Sequence, residues 1–149
     1  RKYYLYTGNS DYIRGTGLLA STMNDFVRKE PDALVLFVLR NDVGSENERL
    51  LSKLKKLISP ENFIVINEKL NRHQLKSLIT HSRAVLLPFI IVPSEIPLTF
   101  IEVLSTGTPV ITMKNAGTTE YLKEVVLSGI SEGGNTNRGQ NKNARFACN

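Results

Sequence analysis

The chain has no tryptophan, two methionines, two histidines and one cysteine among its 149 residues. A lone cysteine, Cys148, excludes an internal disulfide, and with only His73 and His81 beside it no metal-ligand spacing can be assembled. No apolar run approaches the roughly 20 residues that a bilayer span requires. No Ser/His/Asp or Cys/His set is available for nucleophilic catalysis, and no aromatics interleave with Lys53, Lys55 and Lys56, so nucleic acid is not an expected partner. The chain starts at Arg1 without a signal peptide or an initiator methionine, which reads as a fragment or a processed chain. Cysteine usage of this kind is expected of a reducing compartment. The expected location is the cytoplasm, free or at the cytoplasmic face of a membrane.

What is present is ordinary for a globular protein: 41% hydrophobic and 22% charged residues, enough for one α/β domain. The net charge of +5 fits an anionic ligand, lipid headgroups or a solvated basic surface, and does not choose among them. Strand-like and helix-like runs alternate. Strands are expected over Tyr3–Thr7, Ala33–Leu39, Phe63–Ile66, Ala84–Leu87 and Val110–Thr112. Helices are expected over Gly17–Lys29, Glu46–Ile58, His73–Thr80 behind an Asn71 cap, Pro97–Thr106 and Thr119–Val126. This alternation predicts βαβ units and a parallel sheet covered by helices on both faces, with any ligand at the C-terminal ends of the strands. Residues 1–127 carry this pattern. Residues 128–149, rich in Gly, Asn and Arg, read as a disordered or irregular tail.

Four loops are expected at that ligand edge. Gly8–Gly15 (GNSDYIRG) follows the first strand; its glycines let backbone amides approach an anion, and Arg14 can grip phosphate oxygens, although a plain turn with an exposed Arg has the same sequence. Its glycine spacing is a poor match to a dinucleotide fingerprint. Arg40-Asn41-Asp42 stands where an acidic residue could meet a ribose, or simply turn the chain. Glu68-Lys69-Leu70 could line a base pocket with its backbone, or be a solvated loop. The fourth, Pro88–Ile96, holds the apolar stretch Phe89–Val92, which could cover a ligand or meet a partner domain or lipid but is expected to pack on the core.

Ser94–Ile111 (SEIPLTFIEVLSTGTPVI) carries the densest signal. Pro97 suits a first helical turn, Gly107 a helix end, and Pro109 a new extended run. Glu95 and Glu102 lie seven residues apart, about two helical turns. Glu102 falls on a stripe with Leu98, Ile101 and Ser105, where a carboxylate needs a partner: sugar hydroxyls, a capping contact or a basic neighbour.

Taken in order, these residues resemble the C-terminal, donor-binding domain of a family-4 glycosyltransferase of GT-B fold. EVLSTGTPVI (Glu102–Ile111) is similar to the family's E-A-M-A-x-G-x-P-V-I, and Gly117-Thr118-Thr119-Glu120 resembles the G-G-x-x-E that follows. Ala84–Pro88 is similar to the family strand ending in Pro-Ser, and Gly8 with Arg14-Gly15 has the spacing of its G-R-x-x-x-x-K-G loop. The likeness runs from about Tyr3 to Glu124. It implies a Rossmann-like sheet, a nucleoside-diphosphate sugar as donor, hexose transfer with retention to a glycan or lipid-linked acceptor, and no metal or other cofactor. It also implies an N-terminal acceptor domain outside this sequence, without which the fragment does not turn over.

The same resemblance implies the site residues. Glu102 would hold the ribose, backbone amides near Leu98 and Thr99 the diphosphate, and Arg14 would replace the family's lysine on that diphosphate as a catalytic cation. Gly8, Asn9 and Leu70 would complete the donor pocket. Three departures stand out. The family's first glutamate falls on Ser94, with Glu95, the expected catalytic carboxylate, one residue on. Asn9 occupies a position usually held by Arg, and the loop after Pro88 is about two residues longer. The alternative reading is a non-catalytic nucleotide-binding α/β module; a flavodoxin-like or dinucleotide-binding domain fits the glycines poorly.

Overall fold

The computed structural model describes residues 2–40, 44–92, 97–113 and 144–147. β1 (Tyr3–Gly8), β2 (Leu34–Leu39), β3 (Phe63–Ile66), β4 (Ala84–Leu87), β5 (Val110–Met113) and β6 (Ala144–Ala147) form one sheet in the order β3-β2-β1-β4-β5-β6. The first five are parallel, and each connection between consecutive ones carries a helix: α1 (Thr16–Lys29), α2 (Gly44–Leu57), α3 (Arg72–His81) and α4 (Leu98–Leu104). The expected α/β architecture is therefore present, with element ends moved by a residue or two.

β2 (LVLFVL) is a continuous apolar run and the last four residues of β1 (YYLYTG) are buried, as expected of strands covered on both faces. Alternate side chains divide into two cores. Tyr6, Val35, Phe37 and Leu39 pack with Ala20 and Met23 of α1 and Leu50 and Leu54 of α2. Leu5, Leu36, Val38 and Val85 pack with Ile79 of α3 and Phe100 and Val103 of α4 on the other face. The edges of these layers are tied by side chains: the buried Asn62 amide donates to the carbonyls of Pro31 and Ala33, at 2.8 and 2.9 Å.

Two findings differ from the expectations. Ala144–Ala147, inside the tail expected to be irregular, pairs antiparallel with β5, Val110 opposite Ala147. Its sequence lacks a strand pattern because an added edge strand is held by main-chain hydrogen bonds, which any non-proline residue can supply. The rest of that tail and the expected helix Thr119–Val126 lie outside the described residues. On α4 the inward face is Thr99, Phe100 and Val103, while Leu98 and Ile101 are 77% and 48% exposed. The stripe that carries Glu102 thus faces away from the core, since a helix of only seven residues can seat one narrow face.

Candidate functional site

In a doubly wound sheet the ligand crevice opens at the strands' C-terminal ends, where successive connections diverge to opposite faces. Here the divergence lies between β1 and β4. The loops leaving those two strands touch. Residues 12–14 form a 3-10 turn, and the Ile13 carbonyl accepts from the amides of Ile90 and Ile91 at 2.9 and 3.3 Å. Gly15 links that turn to α1 with a left-handed backbone, φ +74°, and a Cβ placed there would stand 1.8 Å from the Pro88 carbonyl oxygen. Glycine is required by conformation and by space together.

Arg14 lies in this seam. Its guanidinium covers the Phe89 ring at 5.1 Å, a cation–π contact, and its buried Nε has no hydrogen-bond partner among the described residues. Asp11 caps the turn by accepting from the Arg14 amide at 3.3 Å. The Tyr6 hydroxyl beneath donates to the Asn9 carbonyl. Burial pushes the Tyr6 phenol far above its usual range; Asp11 raises it further, while Arg14 and Arg40 pull it down. Both cations therefore act on the same buried hydroxyl. Gly8 accepts from the Arg40 amide through its carbonyl at 3.1 Å, which joins the ends of β1 and β2.

Glu102 is not left to solvent alone. Arg40, the residue after β2, donates from Nη2 to Glu102 Oε2 at 2.6 Å and from Nε to Thr7 Oγ1 at 3.1 Å. Of the partners open to Glu102 in the sequence, the basic neighbour is present. Its other oxygen, Oε1, has no hydrogen bond among the described residues. Glu102 also lines a groove of about 350 Å³ between α3 and α4, with Arg72, His73, Lys76, Ser105 and Thr106. That volume is in the range of small-molecule sites. The groove's α3 wall is set by a capping box in which Asn71 and Gln74 satisfy each other's backbone amides at 3.0 and 2.9 Å.

The other expected site residues fall around this centre. Leu98 opens α4 behind the Pro97 cap, and Thr99 is buried beside it. Leu70 packs its side chain on the α3/α4 core, immediately before the Asn71 cap. Phe89 is buried and Val92 packs on the core as expected of the apolar loop, while Ile91 is 52% exposed. Ser94 and Glu95 lie outside the described residues, as do Asp42 and residues 117–120.

Two contributors went unassigned in the sequence. In the sequence Arg40 stands two residues before Asp42, the more usual type of ribose partner, but a lone charge ending an apolar strand at the ligand edge is a usable signal. Asn47 of α2 is the second: it accepts from the Ser10 hydroxyl and donates to Asn67 Oδ1 at 2.8 Å, tying the loop after β1 to the end of β3. No pattern in the sequence announces such a bridge, because its members are far apart in the chain. Among the described residues there is no group of three or more His, Cys, Asp or Glu placed to hold a metal, and no helix is long and apolar enough to cross a membrane.

The family described as glycosyl transferases group 1 matches residues 1–137. No curated protein sequence matches the chain significantly. Similar solved structures include an α,α-trehalose 6-phosphate synthase from Burkholderia multivorans, with TM-score 0.70 and 15% identity over 82% of this chain and 30% of that one. A UDP-forming α,α-trehalose-phosphate synthase from Burkholderia vietnamiensis gives 0.64 and 15% over 82% and 31%. The C-terminal domain of a glycosyl transferase group 1 family protein, LpcC, from Francisella tularensis gives 0.65 and 17% over 78% and 60%. The chain spans less than a third of the length of the two synthases. At these identities the likeness is one of fold.

Proposed function

The chain belongs to the group 1 glycosyl transferases, and from that premise we propose that it is the nucleotide-sugar-binding half of a retaining enzyme that transfers a hexose from a nucleoside-diphosphate sugar to a glycan or lipid-linked acceptor. The observation that carries this reading is Glu102: a half-exposed carboxylate at the sheet's C-terminal edge, held by one oxygen and lining a groove of about 350 Å³. A carboxylate so placed suits a ribose diol, whose two hydroxyls both need acceptors. Arg14, with an unpartnered Nε in the seam between the β1 and β4 loops, suits the diphosphate. The first amides of α1 and α4 add donors there, those of α4 from Leu98 and Thr99. Leu70 and the start of α3 border the base.

In this reading the leaving diphosphate is stabilised by Arg14 and backbone amides, with no metal, and Glu95 or Ser94 meets the sugar. The acceptor binds a separate N-terminal domain. A second reading, a binding module without transfer, is favoured by Ser94 at the position of the family's first glutamate and by Asn9 in place of a cation.

Calorimetry on the complete protein separates these. UDP or GDP should bind, and Glu102→Ala should weaken binding by about 1–3 kcal/mol, the worth of a hydrogen bond to a charged group and of the pairing it leaves behind. Absence of binding by either nucleotide removes the donor-site reading. Sugar transfer lost in Glu95→Ala or Ser94→Ala marks an enzyme; nucleotide binding without any transfer marks the module.

A further inference from the structure

We propose that Arg40 is a positioning residue for the donor ribose, holding Glu102 by one carboxylate oxygen so that the other is presented to the hydroxyls. The proposal rests on the donor-site reading of Glu102 and adds to it a residue from the end of β2.

Three observations carry it. Arg40 is anchored at two points: its amide on the Gly8 carbonyl at 3.1 Å and its Nε on the buried Thr7 Oγ1 at 3.1 Å. The first bond fixes the main chain from which the side chain starts and the second holds Nε, leaving Nη2 2.6 Å from Glu102 Oε2. Second, the contact is single. A guanidinium and a carboxylate left to themselves favour a two-bond fork; the anchor on Thr7 takes up Nε, and Oε1 has no hydrogen bond among the described residues. Third, the pair is not demanded by burial. The two side chains are 30% and 42% exposed, and Glu102 sits on the outward stripe of α4, where water would solvate it without help. Pairs this exposed contribute little to stability. Orientation is what the pairing supplies, and a carboxylate fixed before binding loses less freedom when the ribose arrives.

The test is calorimetry on the complete protein with whichever of UDP and GDP binds, its 2′,3′-dideoxy analogue, and inorganic pyrophosphate. The wild type should prefer the ribonucleotide by roughly tenfold, a charged hydrogen bond's worth. Arg40→Met should bring that preference close to one and leave pyrophosphate affinity unchanged; Arg40→Lys, which keeps the charge without the Thr7 anchor, should recover only part of it. Thr7→Val removes the anchor alone and should also reduce the preference, which keeps the question open to measurement if Arg40→Met fails to fold. An unchanged ribose preference in Arg40→Met or, where that variant does not fold, in Thr7→Val overturns the proposal. Tighter nucleotide binding by Arg40→Met, or an equal loss of pyrophosphate, overturns it as well, since Arg40 would then be a competitor or a general source of charge. A wild type that binds nucleotide without ribose preference overturns the role of Glu102 and of Arg40 with it. A wild type that binds no nucleotide overturns the donor site itself.

Discussion

At Gly15 two constraints that usually occur apart fall on one residue. Its backbone is left-handed, and the space a side chain would fill is already taken by the Pro88 carbonyl at 1.8 Å from an ideal Cβ. Gly107, also left-handed at φ +70°, has nothing within 4 Å of the same position. The two glycines therefore predict different costs. Gly107→Ala carries only the conformational penalty, about 1 kcal/mol. Gly15→Ala must also push the loops after β1 and β4 apart, breaking the Ile13–Ile90 hydrogen bond and lifting Arg14 from Phe89. Its expected loss is more than about 2 kcal/mol, read from denaturant unfolding; under the proposed donor-site reading, in which Arg14 meets the diphosphate, nucleotide affinity should fall as well. Equal costs at the two positions would show that the loops yield to each other freely.

At the scale of elements, α3 shows how a local signal sets a site. Asn71 and Gln74 form the capping box, and the next residues, Arg72 and His73, are groove wall. Asn71→Ala should cost about 1 kcal/mol of stability in denaturant unfolding and loosen the groove end of the helix. Elements of this kind were legible in the sequence, since a cap, an apolar stripe and a strand bounded by Pro88 each act over a few residues. The parallel order of the five strands was legible too, because helices between strands enforce it. The sense of α4 was not. A seven-residue helix offers two plausible stripes, and the choice of Thr99-Phe100-Val103 over Leu98-Ile101-Ser105 depends on how the sheet lies beneath it. Nor was Arg40 legible as the partner of Glu102, since the two are 62 residues apart and meet only when β2 and α4 reach one edge. β6 was invisible for a related reason: its pairing is main-chain chemistry, blind to side-chain pattern.

At the scale of the molecule, the same sheet edge that gathers Arg14, Arg40 and Asp11 also gives the fold a limit in alkali. Tyr6 is 1% exposed under these groups, and burial holds its phenol protonated well above the usual tyrosine range, with Asp11 reinforcing the effect against Arg14 and Arg40. Burial raises Tyr3 as well, whose hydroxyl donates to the Leu78 carbonyl at 2.7 Å. A folded-state pKa above the unfolded value of 10.0 means that the folded chain keeps a proton which the unfolded chain gives up. The stability these phenols contribute is thus complete below pH 10 and falls as pH rises beyond it. The slope approaches about 1.4 kcal/mol per pH unit for each proton so retained. Tyr6 is the larger contributor, because its phenolate would be desolvated and would lose its hydrogen bond to the Asn9 carbonyl. Denaturant unfolding between pH 8 and 11.5 should show a flat region to about pH 10, followed by a decline. Tyr6→Phe should lower the plateau by about 1 kcal/mol through the lost hydrogen bond and make the decline distinctly shallower. A decline of the same slope in Tyr6→Phe would assign the alkaline transition to other groups and break the link between this buried phenol and the loop that carries Arg14.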